Sequence, residues 1–328
     1  MIWNAQTAIE LALAVLSLVL ALYGGWIAWQ IHRRQREPRE AKPSVEQLYY
    51  LLAAIAMVVL IARIANVPFF YWMVQSFAPA IPGAMCMFGV LAAAGWVGFV
   101  DVGAKLILPF IFGLWLVLDQ ANKRTPKLSL SQSLVKLFLL ACIPAIAIDT
   151  ALDIGFVTLL TPIPVTCCGS LYNADVVFRP IALLGPSGST IVLVASLGVN
   201  ISLIALQATE GRAAILPKIA LVLALVSAPL FYLAVQEALA PLFMGMPAHH
   251  CPYCLLKRVP DASLLLITYW VAAAAVGWRF IMRTIARGVP EAVPPITRLN
   301  NILRLSSIGL MLYSVASIAA HVIVAIVW

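Results

Sequence analysis

The 328-residue sequence predicts an all-α polytopic membrane protein of about eight transmembrane helices, and three observations lead there. Hydrophobic residues make up 63% of the chain and charged residues only 10%, with a mean hydropathy of +1.00, which leaves too little polar surface to coat a soluble particle of this size. Apolar stretches able to cross a hydrocarbon core of ~30 Å recur along the whole chain, at roughly 7–31, 45–75, 102–122, 131–160, 188–208, 214–240, 262–287 and 301–328. No stretch alternates apolar with polar residues as a barrel strand does, so helices remain the way to satisfy backbone polar groups in lipid.

The first stretch follows Met1-Ile2-Trp3-Asn4-Ala5-Gln6, which lacks the basic start of a secretory signal. It is longer than a signal core and ends at Arg33 and Arg34, so it is expected to be retained as a span. The second contains Arg63, its most deeply placed cation. Residues 87–100 are apolar and precede the third stretch, either as an interfacial or re-entrant helix on the outer face or as an outward extension of the third span. The third opens on Asp101 and Lys105, an i,i+4 pair, and the fourth carries Asp149 and Asp153 one helical turn apart on a shared face. A turn with Arg212 and Lys218 joins the fifth and sixth; the sixth contains Glu237. Pro260-Asp261 separates the seventh from the polar segment before it, and His321 in the eighth is expected to be hydrogen-bonded within the protein. Connections are short and Pro-containing, as in Arg36-Glu37-Pro38 and 289–295, so a single membrane domain over 1–328 is expected.

The formal charge of +8 is not gathered into a patch or tail, so nucleic acid is not an expected partner; the lipid bilayer is. Basic residues instead alternate along the chain. Arg33, Arg34, Arg36, Arg39 and Lys42 follow the first span, Lys123, Arg124 and Lys127 the third, and Arg283, Arg287, Arg298 and Arg304 surround the start of the last. The intervening gaps hold chiefly Arg179 in one and Lys257 with Arg258 in another. By the positive-inside rule the basic loops are cytoplasmic, and the N-terminus and Trp328 both lie on the outer, periplasmic side.

That topology puts Cys86, Cys167, Cys168, Cys251 and Cys254 on the outer side, with only Cys142 inside a span. The outer side of a bacterial envelope is also where disulfides form. In each of the three outer segments a proline just beyond a span precedes the cysteine by a few residues: Pro82 before Cys86, Pro164 before Cys167, Pro247 before Cys251.

The segment His249-His250-Cys251-Pro252-Tyr253-Cys254-Leu255-Leu256-Lys257-Arg258 concentrates reactive groups in an otherwise apolar chain. A Cys-x-x-Cys pair offers an attacking thiolate and a resolving thiol. A helix opening at the pair, together with Lys257 and Arg258, favours the thiolate, and His249 or His250 can accept its proton. The same residues also fit a permanent structural disulfide, or a soft metal such as Zn or Cu held by His249, His250, Cys251 and Cys254. Adjacent cysteines bond to each other only through a strained ring, so Cys167 and Cys168 point to distant partners, Cys86 or the Cys251/Cys254 pair, or to a soft metal. Asp149, Asp153 and Glu237 are candidates for a proton route, against the plainer expectation that Arg63 or Arg279 pairs with them.

Cys251-Pro252-Tyr253-Cys254 followed four residues later by Arg258 resembles the DsbB-type membrane oxidoreductases, which pass electrons from a periplasmic thiol partner to quinone. The resemblance implies a redox-active disulfide and a thioredoxin-like periplasmic partner at a bacterial inner membrane, with a quinone near Arg258 and its neighbour Lys257. The placement of Cys86, Cys167 and Cys168 upstream of Cys251 is similar to the related vitamin K epoxide reductases, where loop cysteines precede the Cys-x-x-Cys pair. Adjacent cysteines after a span also resemble mercury transport proteins. The expectation is thus a thiol-disulfide oxidoreductase relaying electrons between outer-face cysteine pairs and a quinone. The alternative is a soft-metal transporter, or a non-catalytic subunit of a membrane complex that uses the same Cys/His cluster.

Overall fold

The computed structural model describes residues 4–34, 42–125, 128–165, 187–209, 215–247 and 249–327. Among these residues all regular secondary structure is helical, with no strand. Eight helices are long and apolar enough to cross a membrane: Ala5–Arg34, Val45–Ala80, Trp96–Asn122, Ser131–Leu159, Gly188–Ala208, Leu216–Met244, Pro260–Ala286 and Pro290–Val324. Each overlaps one of the eight predicted stretches; the largest difference is in the last, which begins at Pro290 rather than at 301.

In chain order the α-helices are α1 (Ala5–Arg34), α2 (Lys42–Ser76), α3 (Met87–Ala93), α4 (Trp96–Asn122), α5 (Ser131–Leu137), α6 (Ile143–Leu159), α7 (Gly188–Ala208), α8 (Leu216–Ala234), α9 (Ala240–Met244), α10 (Pro252–Arg258), α11 (Pro260–Ala286) and α12 (Val293–Val327). They gather into two compact units, one formed by Met1–Val165 with Ala286–Ile296, the other by Thr166–Ile285 with Thr297–Trp328.

The apolar stretch 87–100 is not one continuous helix. Residues Met87–Ala93 form a separate short helix, the chain breaks at Ala94 and Gly95, and the remainder joins the third span. Gly95 adopts φ 68° and ψ −152°, a conformation that a side chain would oppose, so glycine makes this break.

The fourth and sixth spans each contain a π-helical turn, Phe138–Cys142 and Val235–Leu239. Each ends two residues before a proline, Pro144 or Pro241. Proline has no N–H for the carbonyl four residues back and its ring crowds that carbonyl. The helix responds by widening: Ile143 donates to Phe138 O and Ala240 to Val235 O, five residues back in both cases.

Two stretches share one plan. In each unit a span leads into a Pro-containing loop, a cysteine in extended conformation caps a seven-residue helix, and a 27-residue span follows after a short break. Cys86, α3 and α4 fill these places in one unit; Cys251, α10 and α11 fill them in the other.

Within the first unit α1 offers a stripe of small residues, Ala14, Ser17, Ala21, Gly24, Gly25 and Ala28, all buried. Small residues let helices approach closely where lipid provides no hydrophobic drive for association. An added Cβ at Gly25 would come within 2.5 Å of Ile143 Cδ1. Trp115 is fully buried, donates from Nε1 to Leu134 O at 3.1 Å, and meets the Phe138 ring at 5.9 Å. The second unit has its own apolar core, in which Phe231 stacks on Tyr269 at 3.7 Å among Leu239, Leu255, Leu265 and Ile318.

The loop before α3 is pinned to the end of the fourth span. Val165 donates its N–H to Pro82 O at 3.0 Å, and its carbonyl lies 2.2 Å from where a Cβ on Gly83 would sit, a residue with φ 81°. Gly83→Ala therefore combines backbone strain with a backbone clash. It is expected to destabilise the protein by more than the roughly 1–2 kcal/mol expected of Gly245→Ala, where φ is 63° but the space is open; thermal unfolding of both variants in detergent checks the order.

Candidate functional site

The predicted thiol site lies in the second unit. Pro252 occupies the first position of α10, where its missing N–H costs nothing, and Cys251 caps the helix with φ −86° and ψ 114°. Leu255 donates its N–H to Cys251 O at 3.2 Å and is buried in the core of the unit, which fixes α10 from beneath. Cys251 is consequently 0% exposed, whereas Cys254 is half-buried. Both are thiols, with Sγ atoms within 4.8 Å of each other. Val259, extended before Pro260, ends α10, so the pair is separated from the seventh span as the sequence predicts.

Lys257 and Arg258 occupy the last turn of α10, at the opposite end from the cap. There they complement the negative end of the helix dipole. The Arg258 guanidinium reaches Met246 Sδ at 3.3 Å.

Glu237 joins this neighbourhood. The π turn carries it, and Pro241 four residues on is the reason for that turn. The buried Glu237 Oε2 faces Nδ1 of buried His250 at 3.6 Å, and Glu237 Oε1 accepts from Gln236 Nε2 at 3.3 Å. A carboxylate and an imidazole thus meet immediately before Cys251 in the chain. His249 is half-buried, in a turn closed by its N–H to Met246 O at 3.0 Å. Among the described residues, neither histidine belongs to a group of ligand atoms within 4.8 Å of one another that includes Cys251 and Cys254.

No family model, curated protein or solved structure matches the chain.

The other two proton-route candidates, Asp149 and Asp153, lie in the first unit and form a different site. They share a face of α6, as their spacing predicts, and Arg63 of α2 bonds both: Nη1 reaches Asp149 Oδ2 and Asp153 Oδ2 at 2.9 Å each. Lys105 of α4 closes the square, with Nζ 2.9 Å from Asp149 Oδ1 and 2.6 Å from Asp153 Oδ1. Arg63 Nη2 donates to Ala14 O at 3.0 Å and to Thr150 Oγ1. The ammonium of Lys105 also lies over the Phe70 ring, 5.0 Å from its centroid. Arg63 thus pairs with these acids as expected, and the Asp101–Lys105 pair persists at 4.0 Å. Lys105 makes its shorter contacts across to α6.

Two members of this site lie beyond the sequence expectations. Glu10 of α1 is fully buried, with Oε1 3.9 Å from Lys105 Nζ, and Asn66 Nδ2 donates to that same oxygen at 2.7 Å. An acid five residues into a first span is itself the signal that would have found Glu10.

Elsewhere, Cys86 is buried at the cap of α3 and Cys142 is buried in the first π turn; Cys167 and Cys168 lie outside the described residues. Arg279 donates to Gln207 Oε1 at 2.9 Å. His321 bonds Ser317 O through Nδ1 and Asp261 Oδ2 through Nε2, both at 2.9 Å, and stacks on Phe243, the internal role expected for it.

Removing Arg63 leaves two buried carboxylates with one cation between them. Arg63→Met is expected to cost roughly 3–5 kcal/mol. Arg63→Lys keeps the charge but loses the forked donors that reach Asp149, Asp153 and Ala14 O together, and is expected to fall between. Thermal unfolding and yield of folded protein in detergent check this series.

Proposed function

We propose that the protein is a membrane thiol-disulfide oxidoreductase in which Cys251 and Cys254 exchange electrons with a lipid-soluble quinone. One observation carries the proposal: two thiols within 4.8 Å of each other, Cys251 buried and Cys254 half-buried, on a short helix anchored by Leu255. Proximity of the sulfurs suits closure of a disulfide, and unequal exposure gives a thioredoxin-like partner one sulfur to attack first. His250, the residue before Cys251, faces Glu237 in a buried acid-base pair, suited to moving the thiol protons.

The cycle has two halves. A partner dithiol reduces the Cys251–Cys254 disulfide through a mixed disulfide and leaves as a disulfide itself. The Cys251 and Cys254 thiols then close their S–S bond, and two electrons and two protons pass to a quinone, which becomes a quinol. In this proposal Arg258 and Lys257 flank the quinone, and Cys86 with Cys167 or Cys168 forms the second exchanging pair. The bond from Val165 to Pro82 supports the latter, since it holds the chain two residues before Cys167 against the loop leading to Cys86. The charge pattern supports placing both termini and these cysteines on the outer side of a bacterial inner membrane.

Cys251→Ala and Cys254→Ala are each expected to abolish thiol-dependent quinone reduction by purified protein; full activity in either variant would sink the proposal. Mass spectrometry of alkylated protein should find Cys251 and Cys254 joined after oxidation and separately alkylated after mild thiol. A bridge that never opens leaves a structural role, and stoichiometric Zn or Cu lost on changing His249 and His250 transfers the site to metal binding. Glu237→Gln is expected to slow quinone reduction by ~10²-fold or more without preventing disulfide formation, measured by stopped-flow quinone absorbance.

A further inference from the structure

One cluster in the first unit brings together four buried carboxylates, Glu10, Asp101, Asp149 and Asp153, with two buried cations among the described residues, Arg63 and Lys105. Full ionisation would leave two uncompensated negative charges among membrane-spanning helices, at a cost of several kcal/mol for each. The hydrogen bonds show which acids carry the compensation. Asp149 and Asp153 each accept from Arg63 on one oxygen and from Lys105 on the other, so two anions and two cations close a neutral square.

Glu10 and Asp101 stand outside that square. Lys105 Nζ is 3.9 Å from Glu10 and 4.0 Å from Asp101, beyond hydrogen-bond reach. Glu10 Oε2 and both Asp101 oxygens have no hydrogen-bond partner among the described residues. Asn66, 2% exposed, gives an independent sign: its Nδ2 donates to Glu10 while its Oδ1, an acceptor, also has none. The site is therefore rich in acceptors and short of donors. A proton on each outlying carboxyl removes one charge and turns an orphan acceptor into an O–H donor. A metal cation fits less well, because the Lys105 ammonium already occupies the centre, within 4.0 Å of an oxygen of all four acids.

We infer that Glu10 and Asp101 form a reversible two-proton site within the membrane-spanning part of the first unit. The groups facing it are Asn66 and Arg63 from α2, Lys105 from α4, and Asp149, Thr150 and Asp153 from α6. Loss of either proton creates a carboxylate that competes with Asp149 and Asp153 for Lys105, which sits between the two sets. The site uses none of the cysteines, so it stands or falls separately from the thiol chemistry.

Infrared spectroscopy of the full chain in liposomes, with carboxyl-labelled Asp and Glu, tests this. At neutral pH a protonated-carboxyl stretch is expected, losing comparable shares of its area in Glu10→Gln and Asp101→Asn and both shares in the double variant. Both replacements resemble the protonated acid in shape and charge, so both variants should fold. Because the folded form holds protons that the unfolded chain releases, wild-type stability should fall as pH rises, and the double variant should lose that slope. A band unchanged by both substitutions overturns the inference, as does failure of either variant to fold, which would mean that the acid is ionised in the native protein. Stoichiometric sodium or calcium in the purified protein, released by Asp101→Asn, overturns it in favour of a cation site.

Discussion

The square of Arg63, Lys105, Asp149 and Asp153 is the interaction on which the first unit depends. It joins α2, α4 and α6, and through Ala14 O it holds α1 as well. Apolar helices in lipid gain little from burying apolar surface against one another, so association must come from close packing and from polar contacts between helices. The small residues along α1 supply the first and the square supplies the second. Each charge is tolerated in the interior only because the other three are there. That mutual dependence also explains why Glu10 and Asp101, which lie outside the hydrogen bonds of the square, stand out.

Proline and glycine then decide where reactive side chains fall. Pro241 widens the sixth span into a π turn and Glu237 sits on it facing His250; Pro252 starts α10 at the residue after Cys251; Pro260 ends the same helix by forcing Val259 out of it. On the other unit Gly95 breaks the chain between α3 and α4. These are local rules acting through missing donors and missing side chains; they set where the helix of the thiol pair begins and ends, and burial of Leu255 in the core of its unit anchors it. The repetition of a capping cysteine, a seven-residue helix and a 27-residue span in both units shows the same solution used twice.

Much of this was legible beforehand. The eight spans follow from apolar length alone, the shared face of Asp149 and Asp153 from their spacing, and the isolation of Cys254 from the seventh span from Pro260. The site was legible in part. Arg63 was recognisable as a partner for the acids because a cation deep in a span has few alternatives. Asn66 was not legible, since a lone amide in a span takes its meaning from what the facing helix brings; Glu10, an acid near the start of the first span, carries a signal of its own. The i,i+4 spacing points Lys105 to Asp101 on its own helix, yet its shortest contacts are to Asp153 and Asp149.

By itself the sequence determined that the chain is helical, with eight stretches long and apolar enough to cross a membrane. Those properties depend on composition and on length against the thickness of the hydrocarbon core. Only the tertiary structure decided the particular bonds: Arg63 and Lys105 each to both aspartates, Glu237 facing His250, and Asn66 to Glu10. The physical reason is that a span is apolar on its lipid-facing and buried sides alike, as exposed Leu16 and Val58 beside buried Ala14 and Leu60 show. Hydropathy therefore leaves the rotation and depth of each helix open, and the polar contacts settle them.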